Sequence, residues 1–239
     1  WFFLSMKYQN KDGWLFVAPL LCWLAFSICV PLYIAIELSF FDIKIIGTEG
    51  KFVGFKNYIK TLNSSKFPKA LTNSIYWVLA NAVTQTFFAF LIALTLNKHF
   101  KGVKIATNWI ILSFIIPTVV IVVIWKLMLS SSSGIINSLL VQLHIIDKPI
   151  GFFSSSTSAF VSLVLINSWR WSPFLALIIL SGLKSIHQEI YDASKIDGAG
   201  FFAEFFQITL PQLKGVLFVL GLVGTLLSFN VFDIIWLIT

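Results

Sequence analysis

The 239-residue sequence predicts an all-α, polytopic transmembrane bundle with five visible spans and a cytoplasmic helix–turn–helix before the last span. Three observations carry this. Hydrophobic residues make up 58% of the chain and charged residues only 11%, whereas soluble domains carry about a quarter charged residues. The mean hydropathy is +0.90. The apolar residues also gather into stretches of the length a bilayer demands, about 20 residues at 1.5 Å each.

The spans fall at 14–41, 71–96, 105–129, 159–181 and 215–238, within a single membrane domain over 1–239. The first, Trp14 to Phe41, exceeds the 7–15 apolar residues of a cleaved leader, and no clear small-x-small site follows it, so it reads as a retained helix. Cys22 and Cys29 lie within it, seven residues apart. On a helix that places them about 10 Å from one another, too far for a disulfide. Pro31, Pro117 and Pro173 fall inside spans, where neighbouring helices must satisfy the backbone groups they free.

The connecting segments set the expected orientation. Residues 97–104 form a tight loop with three lysines, a cytoplasmic mark, and 130–156 hold two serine runs with one lysine and one aspartate, which suits the outside. Parity then puts 182–214 in the cytoplasm. The segment 42–70 disagrees, since it should be external yet carries Lys44, Lys51, Lys56, Lys60, Lys66 and Lys69. Lysines near span ends number eight on each side, so the positive-inside rule gives a tie. The net charge of +7 sits between apolar spans and suits anionic headgroups; no basic recognition helix points to nucleic acid. His99, His144 and His187 are far apart, which argues against a shared metal site.

The segment 183–214 is the most informative. Ile190, Ala193, Ile196 and Asp197 recur at helical spacing, predicting a helix over 187–197. Gly198 suits its end and a sharp turn. A second helical stretch runs through Phe201, Phe202, Phe205 and Phe206, and Pro211 is expected to end it. Such a unit can transmit a push that a flexible linker could not.

Here the residues resemble a family. Asp192-Ala193-Ser194, Asp197-Gly198-Ala199 and Ile208-Thr209-Leu210-Pro211 are similar to the cytoplasmic loop of binding-protein-dependent ABC importer permeases, Glu-Ala-Ala-x-x-Asp-Gly-Ala followed by Ile-x-Leu-Pro. Asp replaces Glu and Ser replaces the second Ala; charge and small size are kept. Phe52 to Tyr58, Ala70 to Ser74, Trp169 to Phe174 and Phe229 to Thr239 resemble the carbohydrate-type, inner-membrane members. The resemblance implies a multi-pass permease subunit in a bacterial inner or plasma membrane, importing a sugar, oligosaccharide, polyol or glycerol phosphate. It also implies the partners: two ATPase subunits, a second homologous permease in a heterodimer, an extracytoplasmic solute-binding protein, the small-molecule substrate and surrounding membrane lipid. The ATPase-coupling residues would be Tyr191, Asp192, Ala193, Ser194, Asp197, Gly198, Ala199, Ile208, Leu210 and Pro211. No cofactor is expected in this chain, with ATP and magnesium on the partner ATPase. Such permeases usually have a further helix, and the chain opens with Trp1 rather than Met, so a longer protein is expected.

Candidate path residues are Trp169, Arg170, Ser228, Asn230 and Asp233. A central arginine costs about 2.5–3.5 kcal/mol on insertion scales. The aliphatic and aromatic residues of its span return about 4–7 kcal/mol, so the span inserts with little margin and Arg170 should face protein or a wet cavity. It either donates to substrate hydroxyls or phosphate or pairs structurally, for example with Asp233. Ser228, Asn230 and Asp233 form a polar stripe in the last span, suited to a hydrated path or to interhelical hydrogen bonds. The sequence has no Gly-x-x-x-x-Gly-Lys-Ser/Thr, so energy would come from another polypeptide, and no paired catalytic constellation inside spans marks an enzyme. An ion-coupled secondary transporter is the alternative; it should show intramembrane carboxylates, and only Asp233 comes close.

Overall fold

The computed structural model describes residues 2–43, 50–98, 100–231 and 233–238. Trp1, Lys44, His99 and Thr239 lie outside the described residues, as do the side chains of Lys7, Lys11 and Asp233. The described chain forms two compact units, Trp1–Leu71 and Thr72–Thr239.

The first unit is built on α1, Phe2–Ser39, which carries Pro19 and Pro31 inside it. Its Gly13–Ser39 stretch has a mean hydropathy of 2.3 and none of it is buried, so this stretch presents apolar side chains on every side. That is the signature of a helix whose solvent is lipid or another protein. A two-stranded antiparallel hairpin follows, β1 (Phe41–Asp42) on β2 (Lys51–Phe52), with Phe41 opposite Phe52. Gly54, at φ +56°, turns the chain into α2, Lys56–Leu62. The Asn57 amide donates to Ser39 O at 2.9 Å and Phe41 O at 3.0 Å, which ties α2 to the end of α1.

The second unit is arranged around α7, Ser156–Ser185. A capping box starts it: Ser155 Oγ accepts from the Ser158 backbone, and Ser158 Oγ accepts from the Ser155 N–H. Its apolar window is 61% buried, against 22% for α3 (Lys66–Leu96) and 18% for Lys214–Leu237. Two apolar clusters pack along it. One gathers Ala89, Ala93, Leu96, Leu175, Ile179, Leu183, Leu213 and Leu220, with Val103 and Ile186 against it. The 97–104 and 183–214 loops therefore leave the same end of the bundle. The other gathers Trp77, Ile121, Val122, Leu163, Ile166 and Ile234 with Phe152 and Phe160, and takes in the serine-rich connection and its helix α6, Ile135–Gln142.

Among the described residues, four helices are long and apolar enough to cross a membrane, or five if one bent pair counts as a span. That pair is the main departure from expectation. The stretch 105–129 is not one helix but α4 (Val103–Ile115) and α5 (Thr118–Met128), bent by 94°. The cause is local. Pro117 lacks an N–H and crowds the residue before it, and Ile116 takes an extended backbone at φ −62°, ψ 131°. Helices of 13 and 11 residues rise about 20 and 16 Å, each short of the ~30 Å hydrocarbon core.

After the loop, α11 (Lys214–Phe229) returns along α7, and α12 (Asp233–Ile238) packs on α5 and α7. Gly182 sets the closeness of α7 and α11. A Cβ there would lie 2.7 Å from both Leu213 Cδ2 and Val216 Cγ2, whereas one on Gly221 would meet nothing within 4 Å. Gly182→Leu should cost about 1–3 kcal/mol by overpacking, and Gly221→Ala should be neutral or slightly stabilising. Thermal unfolding of the two variants in detergent checks the contrast; equal melting points would show that this contact is not tight.

Candidate functional site

Two places concentrate polar and conformational information: the interior seam between α3 and α7, and the 183–214 loop.

The buried face of α3 recurs every four residues as Trp77, Asn81, Gln85, Ala89 and Ala93. Its first three positions are polar or carry a polar edge, and Asn81 among them meets a polar position of α7. Asn81 and Asn167 are fully buried and Gln85 is 1% exposed. Asn167 Nδ2 donates to Asn81 Oδ1 at 2.7 Å, and Gln85 Nε2 donates to the same oxygen at 3.1 Å. Asn81 Nδ2 donates to Trp77 O at 2.8 Å. One turn along, the hydroxyls of Thr84 and Ser168 are 2.6 Å apart. Trp77 Nε1 then donates to Ser228 O at 3.0 Å, which fastens α3 to α11. In a medium without water these bonds have few competitors, so they specify which faces meet.

Sequence reasoning singled out Asn167 only as a neighbour of Arg170 and missed Asn81, Gln85 and Trp77. The signal was present: two amides at i and i+4 in an otherwise apolar span mark an interhelical face.

The structure separates the five path candidates. Trp169 lines a mostly apolar cavity of about 590 Å³ with Phe88, Trp109, Ile116 and Pro173, and its ring meets Trp125 edge-on at 5.5 Å. Ser228 lines a different cavity of about 980 Å³, with Asn73, Tyr76, Trp77, Thr84 and Phe160. Arg170 is half-buried, its guanidinium carbon 5.0 Å from the Trp171 ring centroid. Asn230 caps α11, its amide donating to Leu226 O at 3.0 Å. For Asp233 the backbone starts α12, and its side chain lies outside the described residues.

The loop is folded rather than slack. α8 spans Gln188–Ile196, with Glu189 in its first turn and Lys195 in its last, both signs favourable to the helix dipole. Asp192 accepts from Gln188 Nε2 at 3.1 Å and lies 3.8 Å from Lys195 Nζ. Gly198, at φ +78°, closes the helix. Its N–H reaches Lys195 O at 3.1 Å, while Ala199 N–H reaches Ser194 O at 2.9 Å. This pair of bonds is a Schellman cap, which a residue with a Cβ adopts only at a cost.

The return is α9 (Phe201–Ala203), a π-helical turn (Glu204–Thr209) and α10 (Leu210–Gln212). Pro211 was expected to end this stretch. Instead the chain passes through it, with Leu213 N–H on Thr209 O at 3.1 Å and Leu217 N–H on Leu213 O at 2.8 Å. The wider π turn changes the hydrogen-bond register immediately before Pro211, where the proline has no N–H to offer. Tyr191 Oη lies 3.2 Å from Thr209 Oγ1, binding α8 to the π turn. Phe205 meets Phe90 of α3 edge-on at 5.6 Å, holding the loop to the bundle. Ser194 and Thr209 are buried. Asp192, Ala193, Asp197, Gly198 and Pro211 are exposed, and Tyr191, Ala199, Ile208 and Leu210 are half-buried. Around them Ile196 is 87% exposed and Phe202 73%. Among the described residues, no three His, Cys, Asp or Glu side chains gather as a metal site.

Comparison with known proteins places this geometry. The family model described as binding-protein-dependent transport system inner membrane component matches residues 85–239. The trehalose/maltose transport system permease protein MalF of Thermococcus litoralis is 32% identical over 237 residues, covering 98% of this chain and 79% of that protein. The lactose transport system permease protein LacF of Rhizobium radiobacter is 28% identical, covering 95% of this chain and 76% of that protein. The fold is similar to a crystal structure of a bacterial ABC transporter involved in the import of the acidic polysaccharide alginate. There the TM-score is 0.74 at 22% identity, covering 92% of this chain and 75% of that one.

Removing the shared acceptor of the seam should be costly. Asn81→Ala strands the amides of Gln85 and Asn167, each costing about 1–3 kcal/mol, whereas a membrane hydrogen bond lost with its partner free to adjust averages about 0.6 kcal/mol. Asn81→Ala should therefore lower the melting temperature more than Thr84→Ala, read on the purified protein in detergent.

Proposed function

Because this chain belongs to the binding-protein-dependent transport system inner membrane components, we propose that it forms half of the translocation path for a carbohydrate-class solute, driven through its 183–214 loop by a partner ATPase. The family membership makes it a multi-pass permease subunit of an ABC importer and not an enzyme. The carbohydrate class is supported by the names of the relatives, which transport trehalose and maltose or lactose. Delivery by a solute-binding protein, pairing with a second permease, and ATP and magnesium on two ATPase subunits complete the reading. The family's own description, dependence on a binding protein, supports the first of these.

The observation that carries the coupling role is the loop's stiffness together with what it exposes. Ile196 is exposed on this one folded loop together with Phe201, Phe202 and Phe206, and several large apolar groups exposed on one element suit a partner's surface. The arrangement also gives a line of transmission. Displacement of α8 passes through Tyr191 and Thr209 to the π turn, which runs on into α11. α11 carries Ser228, whose carbonyl holds Trp77 at the wall of the larger cavity. That cavity offers what a sugar path needs: aromatic faces from Tyr76, Trp77 and Phe160, and amide or hydroxyl partners from Asn73, Tyr76 and Thr84. The proposed path follows this cavity and α11; Trp169 lines the separate 590 Å³ cavity, and Arg170 follows it on α7.

Ile196→Asp with Phe202→Asp should reduce recovery of ATPase subunits in a detergent pull-down by tenfold or more, at about 2 kcal/mol for a central anchor. Ile145→Asp, in the serine-rich connection, should leave it unchanged. Gly198→Ala should weaken transport with little loss of assembly, since forcing a Cβ into its left-handed backbone costs about 1–2 kcal/mol. Uptake in proteoliposomes that continues without ATPase subunits would overturn the reading.

A further inference from the structure

The path and coupling proposed above leave out the lysine-rich segment 42–70, the stretch that ties the positive-inside count. Its described part is a fixed platform at the end of a membrane-crossing helix. The apolar run of α1 ends at Ser39, so the residues after it follow directly on a membrane-crossing stretch. Asn57 is bonded to Ser39 O and Phe41 O, and Tyr58 Oη lies 2.6 Å from Ser39 Oγ. The rings of Phe40, Phe55 and Tyr58 close against one another at 5.3 to 5.9 Å. The orientation of α2 on this end is therefore set by bonds, not by chance.

Held in this way, α2 shows two stripes. Phe55, Ile59 and Leu62 recur at four and three residues and are 67%, 57% and 62% exposed. Lys56 and Lys60, one position round the helix, are also exposed, and Lys66 and Lys69 extend the charge along the first turns of α3. Lys51 stands across the hairpin from Asp42. That aspartate is the only carboxylate among the described residues of the segment, and no ion pair there engages the other four lysines. Exposed aliphatic and aromatic groups beside unpaired lysines, at the end of a membrane helix, match the headgroup layer, where apolar groups enter the acyl boundary and ammonium groups reach phosphates.

We propose that α2 with its flanking turns is an interfacial platform that binds the phosphate headgroups of anionic phospholipids through Lys56, Lys60, Lys66 and Lys69. Phe55, Ile59 and Leu62 seat it at the acyl boundary. The lysines on the expected outer side are then charges neutralised locally by lipid, and they need not oppose the orientation set by the 97–104 loop.

The test uses the assembled transporter in proteoliposomes, with Cys22→Ser and Cys29→Ser and a fluorophore on Thr61→Cys. Quenching by nitroxide-labelled phosphatidylglycerol is compared with quenching by nitroxide-labelled phosphatidylcholine. A lysine near the surface is worth about fivefold in lipid binding. The phosphatidylglycerol preference should therefore be severalfold, and should fall to near parity in Lys56→Gln/Lys60→Gln/Lys66→Gln/Lys69→Gln and in high salt. Lys98→Gln, at the other loop, should leave it unchanged. Equal quenching by both lipids in the unsubstituted platform overturns the proposal, as does a preference that survives the fourfold substitution. Shielding that appears only when solute-binding protein is added would assign the surface to that protein instead. Phosphatidylcholine quenching and the melting temperature of the variant report whether the platform still folds. The outcome does not depend on transport.

Discussion

The second unit hangs on one polar seam inside an apolar bundle. Asn81 Oδ1 accepts from both Asn167 and Gln85, and Thr84 meets Ser168 one turn further on. Leu, Ile and Phe side chains pack almost equally well against lipid or against one another, so apolar contact alone barely distinguishes one rotation of a membrane helix from its neighbours. Buried amides do distinguish them, because a stranded amide in hydrocarbon is expensive. The seam thereby sets the facing surfaces of α3 and α7. Further along the same stripe, Ala89 and Ala93 are fully buried in the apolar cluster that Leu175, Ile179 and Leu183 of α7 share.

From that seam the other contacts follow in order. Trp77, placed by the face that carries Asn81, donates to Ser228 O and ties down α11. At the opposite end Gly182 admits Leu213 and Val216, which fixes where α11 begins. The 183–214 loop is suspended between these points. Its Schellman cap, its Tyr191–Thr209 bond and the Phe205–Phe90 contact turn a long connection into a part of the bundle. A loop tied only at its two ends would have no such bracing, whereas this one is held along its length to α3 and to the turn that leads into α11.

The break at Pro117 follows the same logic of satisfied backbone. A proline in a packed transmembrane helix leaves a carbonyl to be satisfied, and here the chain turns by 94° rather than kinking slightly. Trp109 and Ile116 near the turn line the 590 Å³ cavity beside α7. The bend therefore borders the cavity that Trp169 lines, which is not the one that Ser228 lines.

Length and hydropathy alone determined that this chain is a helical membrane protein, because the bilayer sets a span length and demands internal backbone hydrogen bonds. The motif around Gly198 was legible for a similar reason: a positive φ calls for glycine, and helix ends are local. Asn81 and Gln85 were legible in principle as an i, i+4 amide pair. The partner of Asn81 on α7, Asn167, 86 residues away, was not. The tertiary structure decided that pairing, the depth of the bend at Pro117, the passage of the chain through Pro211 by a π turn, and the division of Trp169 and Ser228 between two cavities. Each depends on which helix faces which. In a chain so uniformly apolar, that choice rests on a few distant polar contacts that no local pattern encodes.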